Sequence, residues 1–133
     1  MNEKELINMR KQNIRLYSIY EVISIDLLFY YGIKILFLSQ VKGISEANIV
    51  LASSVFALFS VLSQMLVVIF IDKFGAKKTL VTGNVLRVIS VIMLVFCQNF
   101  VMYLIEEIMY AFAFALKHIA ESTILRKIYT KNT

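Results

Sequence analysis

Four stretches of mainly apolar residues, 17–38, 48–71, 79–97 and 101–120, constrain any fold of this 133-residue chain. Each is close to the roughly 20 residues that a helix needs to cross a bilayer's hydrocarbon core. The chain is 59% hydrophobic, contains no proline and has a mean hydropathy of +0.75. That leaves too little polar material to clothe a soluble domain. The expectation is an all-α integral membrane protein with four transmembrane helices over residues 17–120. Segments 1–16 and 121–133 are expected to flank them as cytoplasmic ends. The first run is longer than the core of a cleavable signal peptide, and no small-residue cleavage site follows it. The single Cys97 allows no internal disulfide and is expected as a small buried or lipid-facing side chain.

The distribution of charge gives the orientation. Lys4, Arg10, Lys11 and Arg15 precede the first run, Lys73, Lys77 and Lys78 separate the second from the third, and Arg126, Lys127 and Lys131 follow the fourth. The other two connectors carry only Lys42. Cations collect on the cytoplasmic side of membrane helices, so both termini and the 72–78 connector are expected in the cytoplasm of a multi-pass cell-membrane protein. An even number of spans requires the same. The net charge of +5 is thus a topology signal, with no nucleic-acid partner implied.

Several residues read locally. Leu6, Met9 and Ile14 among basic and amide residues make 1–16 a charged amphipathic entry. It is expected as a solvated tail, with an anionic membrane surface as the alternative resting place. Gly43 suits a turn and Ser45 a helix N-cap. Ser53, Ala57 and Ser60 in the second run, and Ala111 and Ala115 in the fourth, fall at helical spacing and suit close packing in lipid. Gln98 and Asn99 leave room only for a tight antiparallel hairpin.

The connector Ile71-Asp72-Lys73-Phe74-Gly75-Ala76-Lys77-Lys78 is the most specific motif. Gly75 can take a positive φ at little cost. Thr79 is expected to cap the following helix and Asp72 to face its positive end. The connector resembles the loop between helices 2 and 3 of major facilitator superfamily transporters, Gly-x-x-x-Asp-(Arg/Lys)-x-Gly-(Arg/Lys)-(Arg/Lys). Asp72, Lys73, Gly75 and Lys77 match that pattern; Val68 and Ala76 depart from it. Phe37-Leu38 to Gly43-Ile44-Ser45 and Asn99-Phe100 through Glu107-Ile108-Met109-Tyr110 to Leu116-Lys117 are similar to further parts of a bacterial branch. The resemblance covers about residues 18–125. A related branch has Glu-x-Pro-x-x-Gly where this chain has Gln64, Leu66 and Val68.

The resemblance implies a transporter of a small solute or drug, proton-coupled in a complete relative, with helices 1 and 4 lining a central cavity. Such transporters have two six-helix halves with the substrate between them. The chain matches four helices of the first half, so a truncated and inactive polypeptide is expected, one that self-associates or pairs with the missing helices. Two alternatives stand beside this. One is a four-helix dimeric small multidrug transporter, with Asp26 or Glu21 in place of that family's glutamate in helix 1. The other is a non-transporting membrane partner subunit.

Charges at membrane depth are costly, and they mark function or pairing. Asp26, Tyr30 and Lys34 fall at i, i+4 and i+8 on one face of the first run. Asp26 is about 12 Å along the helix from its cytoplasmic end at 1.5 Å per residue. A carboxyl there suits proton uptake and release; the structural reading is an ion pair with Lys34 or Arg87. Glu107 is a further substrate or proton-coupling candidate, and Arg87–Glu107 is a candidate structural pair. Glu106 points about 100° away from Glu107, so one of the two is expected to face the cavity or missing partners. Lys117 and Glu121 form an i, i+4 pair, and His118 lies beside them as a wetted interfacial residue. The Phe and Tyr residues are expected as lipid-facing bulk and interface anchors. There is no phosphate loop, metal-ligand spacing or nucleophile–base pair, so no enzymatic chemistry and no cofactor or metal are expected.

Overall fold

The computed structural model describes residues 3–24 and 27–130, so Asp26 lies outside the described residues. These residues are helical apart from short connectors, and no strand occurs among them. The chain divides into two compact units, Met1–Gly43 and Ile44–Thr133.

In the first unit, α1 spans Glu3–Ser24 and α2 spans Leu27–Leu36. The segment 1–16, expected as a tail, is therefore helical from Glu3 onward. Residues 3–24 contain no glycine or proline and many Glu, Lys, Arg, Leu, Met and Gln residues, all good helix formers. After α2 the chain widens into a π-helical turn, Phe37–Val41, which closes with Lys42 N–H donating to Phe37 O at 3.1 Å. Gly43 follows at φ +66°, the left-handed turn expected of it.

The second unit contains α3 (Glu46–Phe74), α4 (Ala76–Phe96) and α5 (Phe100–Thr130). Ser45 caps α3 as expected, its side chain accepting from Asn48 N–H at 3.4 Å. α3 and α4 are separated by Gly75 alone, at φ 84° and ψ 152°, a conformation that side chains with a Cβ rarely adopt. Thr79 does not cap α4. That helix starts at Ala76, and the Thr79 hydroxyl donates back to Gly75 O at 2.9 Å from within the first turn. No side-chain hydrogen bond caps the N-terminus of α4, so Asp72 does not serve there either; it lies exposed in the last turn of α3. The link from α4 to α5 is as tight as expected. Cys97 N–H donates to Leu94 O at 3.2 Å, and its buried Sγ donates to Asn99 O at 3.3 Å.

α5 is the central element. It packs extensively against both α3 and α4, whereas α3 and α4 scarcely touch each other. Val67 of α3 meets Ala115 and Leu116 of α5, with Ile71, Leu86, Phe112 and Ile119 around them. The expected packing role of Ala111 and Ala115 holds, as both are buried. That of Ser53 and Ala57 does not, since both are exposed. Ser53 donates to Ile49 O at 3.0 Å and Ser60 to Ala57 O at 2.8 Å. These hydroxyls are satisfied within their own helix and need no neighbour. The α3 face that does pack carries Ile49, Ala52, Ser63 and Val67.

α3 and α4 are each long and apolar enough to cross a membrane. At 1.5 Å per residue their 29 and 21 residues extend about 43 and about 31 Å, against a hydrocarbon core of about 30 Å. Leu58, Leu62, Met65 and Ile69 on α3, and Val81, Val85, Val88 and Ile92 on α4, are exposed. Such a surface suits acyl chains, not water.

Gly83 sets the distance between α4 and α5. A Cβ there would lie 2.9 Å from Lys117 N, 3.0 Å from Leu116 Cβ and 3.2 Å from Ala113 O. Two of these are backbone atoms, which can yield only if the helices part. Gly83→Val is expected to cost about 1–3 kcal/mol as overpacking, read as earlier thermal unfolding of the detergent-solubilised chain. Gly32, helical with nothing within 4 Å of its would-be Cβ, provides the contrast. Gly32→Ala is expected to leave stability unchanged or raise it by up to about 1 kcal/mol.

Candidate functional site

Because α5 lies between two neighbours, side chains on more than one of its faces are enclosed. Glu106 is 0% exposed and Glu107 3%. Both carboxyls are therefore enclosed within the second unit, although they point in different directions. Tyr103 and Tyr110 are buried too, which corrects their reading as lipid-facing aromatics. Spacings of three, four and seven residues put Tyr103, Glu106, Tyr110 and Lys117 along one stripe of α5, with Glu107 beside it.

Neighbouring helices hold Tyr110 in place. Phe56 of α3 lies with its ring centroid 5.8 Å away, and the Arg87 guanidinium of α4 stands 5.8 Å from the Tyr110 ring centroid. Phe56 also meets Phe114 edge-on at 5.9 Å. A guanidinium over an aromatic face is attracted by the ring's electron-rich surface, more strongly where water is scarce. Arg87 thus reaches α5 three residues along from Glu107, at the level where the candidate pair was expected.

Lower on the same helix, the expected pair forms, with Lys117 Nζ 3.8 Å from Glu121 Oε1. Lys117 is buried, and its backbone N lies close to Gly83. His118 is exposed and stacks on Phe114, with centroids 5.8 Å apart and planes 9° from parallel. In the first unit, Lys34 is buried, with Nζ 5.7 Å from the centroid of Tyr30 one turn earlier. The i, i+4 arrangement inferred for Tyr30 and Lys34 is thus realised within α2. In the loop motif, Asp72, Lys73 and Lys77 are exposed around Gly75, and Lys73 Nζ lies 5.6 Å from the Phe74 ring centroid. No cluster of potential metal ligands occurs among the described residues.

An all-helical unit whose outer helices carry apolar side chains outward and whose central helix encloses carboxyls, tyrosines and a lysine is the inverse of a water-soluble bundle. It defines a membrane protein with a polar interior. The sequence profile of the Major Facilitator Superfamily matches residues 19–133, and the chain belongs to that superfamily of transporters. No curated protein and no solved structure matches it significantly.

Tyr103, Tyr110 and Gly83 were missed in the sequence. The signal available for the two tyrosines was the polar stripe at helical spacing in the fourth apolar run; for Gly83 it was a lone glycine inside the third. Tyr110→Leu is expected to remove the guanidinium–ring contact and lower stability by about 0.5–2 kcal/mol. Tyr110→Phe, which keeps the ring, is expected to lose less. Thermal unfolding of the two variants beside Arg87→Gln checks this; in the Arg87→Gln background the two should differ less.

Proposed function

We propose that the chain serves transmembrane movement of a small solute or drug in exchange for protons, through a pathway to which α5 contributes its polar stripe. The observation that carries this reading is the enclosure of Glu106 and Glu107 in the second turn of a helix flanked by two membrane-length apolar helices. Carboxyls are retained at such depth at a cost, and usually for a pathway or a proton. In this reading Glu107 exchanges a proton as access changes sides, and the solute competes for the same carboxyl. Arg87 holds the α4 side of the site through Tyr110 and sets the charge next to Glu107. Asp26, Tyr30 and Lys34 form a second candidate group on the preceding apolar segment, with Asp26 as a further proton-exchanging carboxyl.

The accompanying topology has four spans, with both termini and the Asp72–Lys77 connector cytoplasmic in the cell membrane. It is supported by the Lys and Arg bias of the connectors. Enclosed carboxyls favour a cationic solute over an anionic one.

The test is flux of ethidium, a lipophilic cation, into liposomes containing the purified chain under an imposed pH gradient. Gradient-driven ethidium movement that a protonophore abolishes is expected, with a loss of tenfold or more in Glu107→Gln and in Asp26→Asn. Glu46→Gln, at the exposed start of α3, should retain the flux. Movement no faster than in protein-free liposomes, or a Glu107→Gln variant as active as the parent chain, contradicts the reading.

A further inference from the structure

The helical form of α1 gives its cations an arrangement that a tail would not have. Asn8, Lys11, Arg15 and Ser18 are spaced by three, four and three residues, so they form one stripe along the helix. Lys11 and Arg15 are exposed, as are Asn8 and Gln12, and an open concavity runs beside them. Ile7 and Ile14, seven residues apart, border the stripe on one edge. Gln12 and Ile19, also seven apart, border it on the other. These isoleucines are exposed as well. Lys4 and Arg10 belong to the same helix, which makes four cations against Glu3, Glu5 and Glu21.

Two cations four residues apart on a helix repel each other, so this stripe weakens α1 unless an anion lies across it. The exposed isoleucines beside it ask for an apolar neighbour at the same time. A layer of acidic headgroups over acyl chains meets both demands, and juxtamembrane clusters of four or more cations are the usual reader of such a layer. The stripe also immediately precedes the first apolar run of a membrane protein, so the surface is within reach.

We infer that α1 is a lipid-reading element whose Lys11–Arg15 face binds the headgroups of anionic phospholipids. Each cation adds about a fivefold gain in attachment to an anionic surface. Loss of both is therefore worth about 25-fold, and the attachment weakens as salt screens it. This inference does not depend on solute movement; α1 can read lipid in a chain that carries nothing.

The test uses the full chain with Cys97→Ser and Met9→Cys, bearing a fluorophore at position 9 and reconstituted into vesicles. The vesicles are phosphatidylcholine alone or phosphatidylcholine with about a third phosphatidylglycerol. Collisional quenching by acrylamide, which is uncharged, reports whether α1 lies on the bilayer. Quenching several-fold weaker with phosphatidylglycerol is expected, with the protection lost in high salt and in Lys11→Gln/Arg15→Gln. The charge-keeping Lys11→Arg/Arg15→Lys variant should remain protected, which separates a lost charge from a damaged helix. Equal quenching in both lipids overturns the inference, as does protection that survives Lys11→Gln/Arg15→Gln. If the stripe instead serves an acidic protein segment, the lipid dependence is absent and the inference falls.

Discussion

The second unit depends on how closely α5 can approach α4 at Gly83. With only a hydrogen at that position, the α4 backbone comes within van der Waals reach of Ala113, Leu116 and Lys117. Tight backbone approach is what joins helices in lipid, where apolar surface alone gives no drive to associate. α3 adds the second wall through Val67 and Phe56. Glu106, Glu107 and Lys117 of α5 are enclosed as a consequence. The carboxyls need no special fold of their own, only a helix with neighbours on two sides.

This arrangement also separates two roles that a soluble helix usually combines. α3 and α4 carry the apolar surface and bury little of it, while α5 buries much of its surface and carries the charges. Arg87 bridges the two classes. Its stem leaves a lipid-bordered helix, and its guanidinium ends over Tyr110 inside. The Lys117–Glu121 pair lies within α5, near the end of the interior stripe, with the Lys117 backbone close to Gly83 of α4.

The local devices were legible in the sequence. Gly43 and Gly75 at positive φ, Ser45 as a cap and the short Gln98–Asn99 link follow from chemistry within a few residues. The all-helical class followed from the apolar runs. What the runs could not reveal was the order of the helices in space. Hydropathy ranks segments by their fit to lipid, and by that measure α5 looks the least committed because it carries Glu106, Glu107 and Lys117. Its central place is visible only once its partners are known. The Ser53, Ala57 and Ser60 series misled for a related reason. Small size permits close packing but does not demand it, and those serine hydroxyls are already bonded to their own helix. Thr79 misled as a cap because Gly75 ends one helix and begins the next with no residue between them.

The most direct test of α5 as the central helix is disulfide cross-linking in native membranes, on a Cys97→Ser background. Val67 and Leu116 belong to one buried cluster joining α3 to α5, whereas Leu62 and Val88 are both exposed on α3 and α4. Val67→Cys/Leu116→Cys should cross-link rapidly on mild oxidation, and Leu62→Cys/Val88→Cys should not. The reverse result, with α3 joined to α4 and α5 left unlinked, would place α5 outside the bundle and remove the enclosure of Glu106 and Glu107 on which the account rests.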